Sequence, residues 1–416
     1  MVVTPLMWAS WDRYKSLNQH LWLTPIEWNI AKRRLEYHPI SKMLIPYLTI
    51  SFFLLPFHIF CCLSLLFFQL YGSLRMSWLD VSRAGGMLAM ATTTLAYESL
   101  YLFKGENMVR MANNIITLDQ SLCSYGEVLK TKPAKYDSLG IALNAMIILP
   151  SASQYLIGIA GMYFKLDPVY LVQKYVSPLI LEAWNSGRDV ATLENYQDFS
   201  LSEICWLIAR SSQIITTAQA CRALPWMDVM TTLLVHLVLQ CIERLDSASE
   251  RILLQSQGRV ERYFGRYSAL KIIFLVSAVE TGALVSIMMA MGMILSIMCN
   301  FTSVKLYGTI PTMVYVSCTL VGVLIQVFVH VMVPMAVNVY EMGKGVAEKW
   351  KGLLGRSGNK KYLVRRVKSI KVLGLYAELF GFKMFRCQKS TKRRYYYAIL
   401  EYTCTALLSL DASWFM

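Results

Sequence analysis

Two nearly uncharged runs near the carboxyl end of the chain constrain its fold more than any other feature. The first covers residues 268–300 and the second covers residues 311–339. Each is longer than the roughly 20 apolar residues that an α-helix needs to cross the hydrocarbon core of a bilayer. Because that core offers no water to unpaired backbone groups, runs of this kind must be helical. The sequence therefore predicts an all-α membrane protein.

Five further apolar segments complete a set of seven predicted spans. The seven are about 43–70, 85–103, 138–164, 223–242, 268–300, 311–339 and 395–411. Residues 1–42 precede the first span, and residues 43–416 read as one membrane domain without internal repeats. Between the third and fourth spans, residues 201–215 are apolar enough for a helix lying at the membrane interface. A short apolar stretch at 373–385 is expected to pack in a cytoplasmic helical anchor within residues 340–394, or to lie at the interface.

The distribution of basic residues predicts the orientation of the chain. With the N-terminus inside, the segments on the inner side hold 33 of the 41 lysines and arginines. Positively charged residues are retained on the cytoplasmic side of membrane proteins. We therefore expect a cytoplasmic N-terminal segment, an extracellular C-terminus and a multi-pass protein of the cell membrane. This orientation is opposite to that of a G-protein-coupled receptor.

Composition and motifs exclude several classes of function. Hydrophobic residues make up 56% of the chain and charged residues 16%, and the net charge of +15 lies mainly between apolar spans, which fits membrane topology better than nucleic-acid binding. No phosphate-binding loop, zinc-protease motif, CxxC pair or nucleophile elbow occurs. The sequence predicts no enzyme activity and no cofactor or metal. Cys205 and Cys221 lie in a predicted outer loop, where a disulfide is one possibility.

The last predicted span carries the residues that point to a family. In this span Tyr395 follows Arg394, and after five further residues come Glu401 and Tyr402. This stretch is similar to a signature of arthropod gustatory receptors, which have Thr-Tyr, five hydrophobic residues and Gln-Phe in their seventh helix. With seven spans, an inner N-terminus and a basic last inner loop, the chain resembles the arthropod gustatory/odorant receptor superfamily.

The resemblance implies a chemosensory receptor that acts as a subunit of a ligand-gated, non-selective cation channel. In that family four subunits form a homotetramer, or a heterotetramer with a co-receptor subunit, around a pore lined by the seventh helix. A small organic tastant or odorant binds in the outer half of the bundle. Two alternatives stay open at this point, a G-protein-coupled receptor and a secondary transporter of a small solute, although the transporter's paired broken helices are not apparent.

Two groups of residues are candidates for function. Glu401, Thr405 and Leu408 share one face of the last helix, and four copies of Glu401 would give an acidic ring that attracts cations. Apolar walls with a few polar groups are typical of small-molecule pockets, and the predicted ligand-binding residues are Tyr155, Trp226, Met230, Tyr315 and Thr319. We expect Trp226 and Met230 in the outer half of the fourth span. Asn300 begins the sequon Asn-Phe-Thr in a predicted outer loop and is a candidate for glycosylation.

Overall fold

The computed structural model describes residues 3–123, 137–186, 196–253, 257–305, 307–308, 312–355, 361–369, 372–379 and 381–409. Helices account for most of these residues, and two short hairpins supply the strands of the described part. The first half of the chain contains α1 (Pro5–Asn18), β1 (Ile26–Asn29), β2 (Arg34–Tyr37), α2 (Ile45–Thr49), α3 (Leu55–Leu70), α4 (Trp78–Cys123), α5 (Ser138–Tyr163) and α6 (Pro168–Ser186). The second half contains α7 (Tyr196–Leu253), α8 (Gln257–Val276), α9 (Ala278–Lys305), α10 (Thr312–Gly355), α11 (Lys361–Ser369), β3 (Tyr376–Leu379), β4 (Phe382–Arg386) and α12 (Lys389–Ser409).

Helix α7 is the centre of the fold. It contains 58 residues, and at 1.5 Å per residue it is about 87 Å long, far longer than a bilayer core. It packs against α1, α4, α5 and α10. Every residue from Val229 to Ile242 is buried. The apolar run in this part of α7 therefore forms protein core, although its composition is that of a lipid-facing helix.

The outer surfaces of α3 and α5 have the opposite character. They expose large apolar side chains, including Phe57, Phe60, Leu63 and Phe67 on α3 and Ile141, Leu149, Leu156 and Ile159 on α5. Groups of large exposed apolar side chains of this kind mark a membrane or protein contact. We call these two surfaces the lipid-type surface.

The first membrane-length segment, Lys42–Leu70, is not one regular α-helix. A 3₁₀ turn at Lys42–Leu44 precedes α2, and a π-helical turn at Ile50–Leu54 joins α2 to α3. Pro46 and Pro56 stand in the first turns of α2 and α3. Because proline has no N–H donor and its ring crowds the preceding turn, the chain adopts irregular turns at these places.

Helix α1 and the β1–β2 hairpin form an N-terminal segment (residues 3–38) that packs on one end of the helical bundle, here called the α1 end. The ring of Tyr14 stacks on that of Trp226 in α7, with 4.3 Å between centroids, and Trp11 contacts the same ring at 5.7 Å. On α4, the side chain of Asn113 accepts a hydrogen bond from the Leu35 N–H and donates one to the Leu35 carbonyl. The segment is thus fixed to both α7 and α4.

The second hairpin packs against α9. Strand β3 pairs with β4 in antiparallel register, with an irregularity between Ala377 and Glu378, and Gly381 has a positive φ of 83° at the turn. A Cβ added at Gly282 of α9 would lie 2.5 Å from the Cβ of Glu378. Only glycine permits this close approach of strand to helix. The Ser286 hydroxyl donates a hydrogen bond to the Glu378 carbonyl at 3.1 Å.

The predicted spans lie mainly on helices where the structure describes them. Within the described residues, five segments are long and apolar enough to cross a membrane: Lys42–Leu70, Ser138–Pro178, Glu203–Glu250, Ala278–Lys305 and Gly322–Leu354. The predicted second span, 85–103, lies within α4, and the predicted seventh span lies within α12 as far as Ser409. Neither helix is among these five segments, so it stays a prediction that α4 and α12 cross the membrane.

Three expectations about local structure are wrong. Residues 268–300 do not form one helix, because α8 ends and α9 begins around Ser277, whose hydroxyl bonds the Ile273 carbonyl. Residues 201–215 are not a separate interfacial helix, because α7 runs through them with no glycine or proline before Pro225. Residues 373–385 contain a β-hairpin rather than a helical anchor, because Gly381 reverses the chain between two strands.

Candidate functional site

Helix α12 has one packed face and one exposed face. Tyr395, Ile399 and Thr403 are buried, and their spacing of four residues puts them on one side of the helix. Tyr395 and Ile399 pack toward Val329 and Val333 of α10 and toward methionines of α9. The packed face therefore fixes α12 to its two neighbouring helices.

The exposed face of α12 carries the three residues predicted to line a pore. Glu401, Thr405 and Leu408 are all exposed, and Leu408 retains 86% of its accessible surface. The Thr405 hydroxyl donates to the Glu401 backbone carbonyl at 2.8 Å. Within the described part of the chain, no basic side chain forms an ion pair with Glu401. If α12 crosses the membrane as predicted, a carboxylate beside an exposed leucine requires water or another chain to cover it.

The structure does not bring the predicted ligand-binding residues together. Trp226 and Met230 are almost fully buried in the core of α7. Trp226 packs on α1, so it lies on the same side of the bundle as the N-terminal segment. The sequence predicts Trp226 on the outer side and the N-terminus on the inner side. These two expectations contradict each other in the structure, so the combination is wrong. Its indole belongs to the aromatic core that holds α1.

The remaining three predicted residues lie on helices that α7 separates. Tyr155 is 44% exposed on the lipid-type surface of α5, and its ring contacts His20. Tyr315 of α10 donates its hydroxyl to the Ser303 carbonyl at 3.1 Å. Thr319 follows one turn later on α10. Helix α7 packs against both α5 and α10, so these side chains belong to different surroundings.

A cleft that the sequence does not reveal lies between α7, α9, α10 and the first turns of α12. Its walls are mainly methionine and β-branched side chains, among them Val235, Val285, Met288, Met332 and Val333. The volume of the cleft that water-sized molecules can enter is about 50 Å³. Tyr395, the signature residue, forms part of its wall. The five predicted ligand-binding residues do not line it.

A polar cluster, also missed by sequence reasoning, joins the N-terminal segment to the bundle. Arg222 of α7 is 4% exposed and donates to the Trp22 carbonyl at 2.5 Å and to the Thr24 hydroxyl at 3.4 Å. Gln219, one turn earlier, accepts from the Trp22 indole and donates to the carboxylate of Glu98 on α4. The one signal of this cluster in the sequence is the pair of polar residues Gln219 and Arg222, at i and i+3 on an otherwise apolar helix. Charged groups this deeply buried need such partners.

Other polar residues of the predicted spans have structural partners. Glu280 stands in the first turn of α9, where it accepts a hydrogen bond from Asn107 of α4 at 3.1 Å.

Cys205 and Cys221 are free thiols, and both lie on α7. Sixteen residues of α-helix separate them by about 24 Å, so the disulfide considered from sequence is wrong.

Asn300 is not in a loop, because α9 extends to Lys305. Its side-chain amide lies 3.5 Å from the Thr403 hydroxyl of α12. The sequon thus stands on a helix that faces another helix. The predicted loop position is wrong, and glycosylation of Asn300 stays a prediction.

Comparison with known proteins identifies the fold. No protein-family model and no curated protein sequence matches the chain. The insect olfactory receptor OR5 from Machilis hrabei in complex with eugenol matches with a TM-score of 0.56 at 12% identity, over 96% of this chain and 98% of that chain. A second structure of that receptor matches with a TM-score of 0.57 at 10% identity, over 96% and 97%. The chain has the fold of an insect olfactory receptor over nearly its whole length, and the predicted resemblance is confirmed at the level of fold.

Proposed function

We propose that the chain is a chemosensory receptor that acts as a subunit of a ligand-gated, non-selective cation channel in the cell membrane. The observation that carries the proposal is the exposed face of α12 in a chain with the fold of an insect olfactory receptor. Glu401 and Leu408 on that face are exposed in the single chain. An arrangement in which copies of α12 surround a water-filled axis explains the exposure of both side chains.

The proposed assembly is a tetramer, either of this chain or with a co-receptor subunit. A second exposed surface supports association near the α1 end. The β3–β4 hairpin exposes Phe382 (78%) and Met384 (62%), which project from a short two-stranded sheet. Large exposed apolar side chains on a hairpin outside the lipid-type surface favour contact with another protein chain.

The proposed orientation has the α1 end in the cytoplasm and the C-terminal end of α12 outside. The inner segments of this arrangement hold 33 of the 41 basic residues. The polar cluster of Arg222, Gln219 and Glu98 then lies near the cytoplasmic boundary, where it joins the N-terminal segment to α4 and α7.

The proposed ligand is a small organic molecule. The matching structure of the Machilis hrabei receptor is a complex with eugenol, a compound of this class. The five residues selected from sequence do not form one site in this chain, so the ligand pocket is not assigned to them.

Excised membrane patches test the proposal. The chain is expressed alone and together with an insect co-receptor subunit, and currents are recorded during application of tastants and volatiles. A ligand-gated channel conducts in inside-out patches without added nucleotides. A G-protein-coupled receptor gives no current under these conditions, and a transporter gives uptake without unitary openings. Surface expression without ligand-evoked unitary currents in either combination contradicts the proposal.

A further inference from the structure

Arg394 shares the exposed face of α12 that carries Glu401. Seven residues lie between one position and the other, so the two side chains differ in direction by only about 20° around the helix and stand about 10.5 Å apart along it. Both are exposed, and neither forms an ion pair with another described residue. The packed residues Tyr395 and Ile399 lie on the other side of the helix. One exposed face therefore carries a cation and an anion at different depths.

The other basic residues at the start of α12 do not share this position. Lys389, Lys392 and Arg393 belong to the same first turns, and each is rotated by about 100° or more from Arg394 around the helix axis. Retention of positive charge on the cytoplasmic side explains the group as a whole. It does not require that one member stand in line with Glu401, so the alignment of Arg394 needs a reason of its own.

We infer that copies of Arg394 from the assembled subunits form a cationic ring at the inner mouth of the pore and make its current rectify inwardly. The inference rests on the channel function proposed above. In the proposed orientation the start of α12 faces the cytoplasm. Cations that leave the cell therefore meet the ring of Arg394 before that of Glu401, and a ring of arginines repels them. Cations that enter the cell meet Glu401 first.

Electrostatics gives the size of the expected asymmetry. Four unit charges roughly 8 Å from the axis in water, with a screening length of about 8 Å at 0.15 M salt, lower the cation concentration at the inner mouth about three- to fourfold. Strong outward current is limited by entry from this mouth, whereas strong inward current is not. Inward current should therefore exceed outward current about twofold or more at equal and opposite voltages. At 1 M salt the screening length falls to about 3 Å, so the ratio should approach one.

Recordings in symmetrical potassium chloride without divalent cations test the inference. The inside-out patches carry the chain alone, or with the co-receptor subunit where current requires it, and the channel is opened by the tastant or volatile found active above. Arg394→Gln should bring the ratio of inward to outward current close to one, and Arg394→Lys should retain the parent ratio. Arg393→Gln is the matched control, because it removes the same charge from the next residue on a different face.

The outcomes separate this inference from the proposal on which it rests. Equal inward and outward currents of the parent channel in 0.15 M salt overturn the inference and leave the channel proposal standing. Equal loss of rectification in Arg394→Gln and Arg393→Gln also overturns it, because general charge near the mouth would then suffice. If Arg394→Gln does not reach the surface, rectification of the parent that persists in 1 M salt contradicts the ring. Absence of any ligand-evoked current contradicts the proposed function, and the ring falls with it.

Discussion

The Tyr395 hydroxyl on α12 donates a hydrogen bond to the backbone carbonyl of Met289 on α9, with 2.9 Å between the two oxygens. A Cβ added at Gly292, one turn further along α9, would lie 3.0 Å from the same hydroxyl oxygen. The contact is therefore tight as well as polar. It holds the helix with the proposed pore face against a helix that does not contribute to that face.

Replacement of Tyr395 by Phe should change gating more than folding. The ring stays in place, and the loss of one hydrogen bond costs about 0.5–1.5 kcal/mol. Because the bond joins α12 to α9, its loss should shift the ligand concentration for half-maximal current while surface expression stays normal. Tyr397→Phe is the matched control, because Tyr397 is 66% exposed. Identical dose–response curves for both variants and the parent chain would exclude a gating role for the bond.

Replacement of Glu401 by Gln should preserve a conducting channel and weaken block by divalent cations. The amide is nearly isosteric with the carboxylate, and it removes four negative charges from the axis of a tetramer. Current–voltage curves recorded with and without millimolar external calcium measure the effect. Glu348→Gln, an exposed acid on the far part of α10, should behave like the parent chain. Unchanged divalent sensitivity in Glu401→Gln would mean that the residue does not face the conduction path.

Epitope tags in two described turns should report opposite sides of the membrane. A tag after Ala31, at the tip of the β1–β2 hairpin, should stain only after permeabilisation. A tag after Gly72, in the link between α3 and α4, should stain on intact cells. Gly72 has a positive φ of 73° and open space around it, so an insertion there disturbs little. Staining of the hairpin tag on intact cells would reverse the proposed orientation.

Asp80 should stabilise the fold through a polar cluster between α4 and α6. Its carboxylate accepts hydrogen bonds from Lys174 at 2.8 Å and Tyr175 at 2.7 Å. Burial alone would raise the pKa of Asp80, but the hydrogen bonds from Lys174, Tyr175 and Ser77 outweigh burial and hold the pKa below its ordinary value. A lowered pKa in the folded state means that the stabilisation is present above the ordinary value of 3.8 and is lost as the pH falls through the folded-state pKa.

Asp80→Asn should therefore lower the free energy of unfolding by about 1–3 kcal/mol near neutral pH. Thermal melts in detergent measure the difference, which should shrink as the pH falls below the ordinary aspartate range. Glu106→Gln removes an exposed carboxylate paired with Arg110 and should change stability by less than about 1 kcal/mol. A difference between Asp80→Asn and the parent that does not vary with pH would refute the assignment.

Charges on the exposed hairpin should weaken assembly. The double change Phe382→Asp and Met384→Asp leaves the hairpin contact with α9 intact, because β3 and Gly282 make that contact. Native gels should show a lower tetramer fraction with normal membrane insertion. Tyr362→Asp, at a 57% exposed position of α11, is the control for added charge. An undiminished tetramer in the double variant would remove the hairpin from the proposed interface.

Hydropathy predicted the helices well because both lipid and protein core select apolar side chains. That same property explains the main errors. Residues 223–242 are apolar because α7 is buried among other helices from Val229 to Ile242, and the sequence pattern does not distinguish such burial from contact with lipid. The position of Trp226 at the α1 end follows from its contact with Trp11, which is distant in sequence.

The face shared by Glu401, Thr405 and Leu408 followed from helical spacing alone, since local geometry fixes it. The cleft at Tyr395 and the cluster around Arg222 could not be predicted in this way. The cleft is formed by residues of four separate elements and the cluster by residues of three. The β3–β4 hairpin was missed because a short apolar stretch fits a helix or a strand equally well. Gly381 was the signal in the sequence that favours the hairpin.

The hydrogen bond from Arg222 to the Trp22 carbonyl joins residues 200 positions apart. A ribosome that adds roughly 5–20 residues per second needs about 10–40 s to make the chain between them. During that interval Trp11 and Tyr14 have no α7 to pack on, and the first helical hairpins enter the membrane without their partner. The N-terminal segment is therefore the first part to be synthesised, and its contacts with α7 can form only after its contacts with α5.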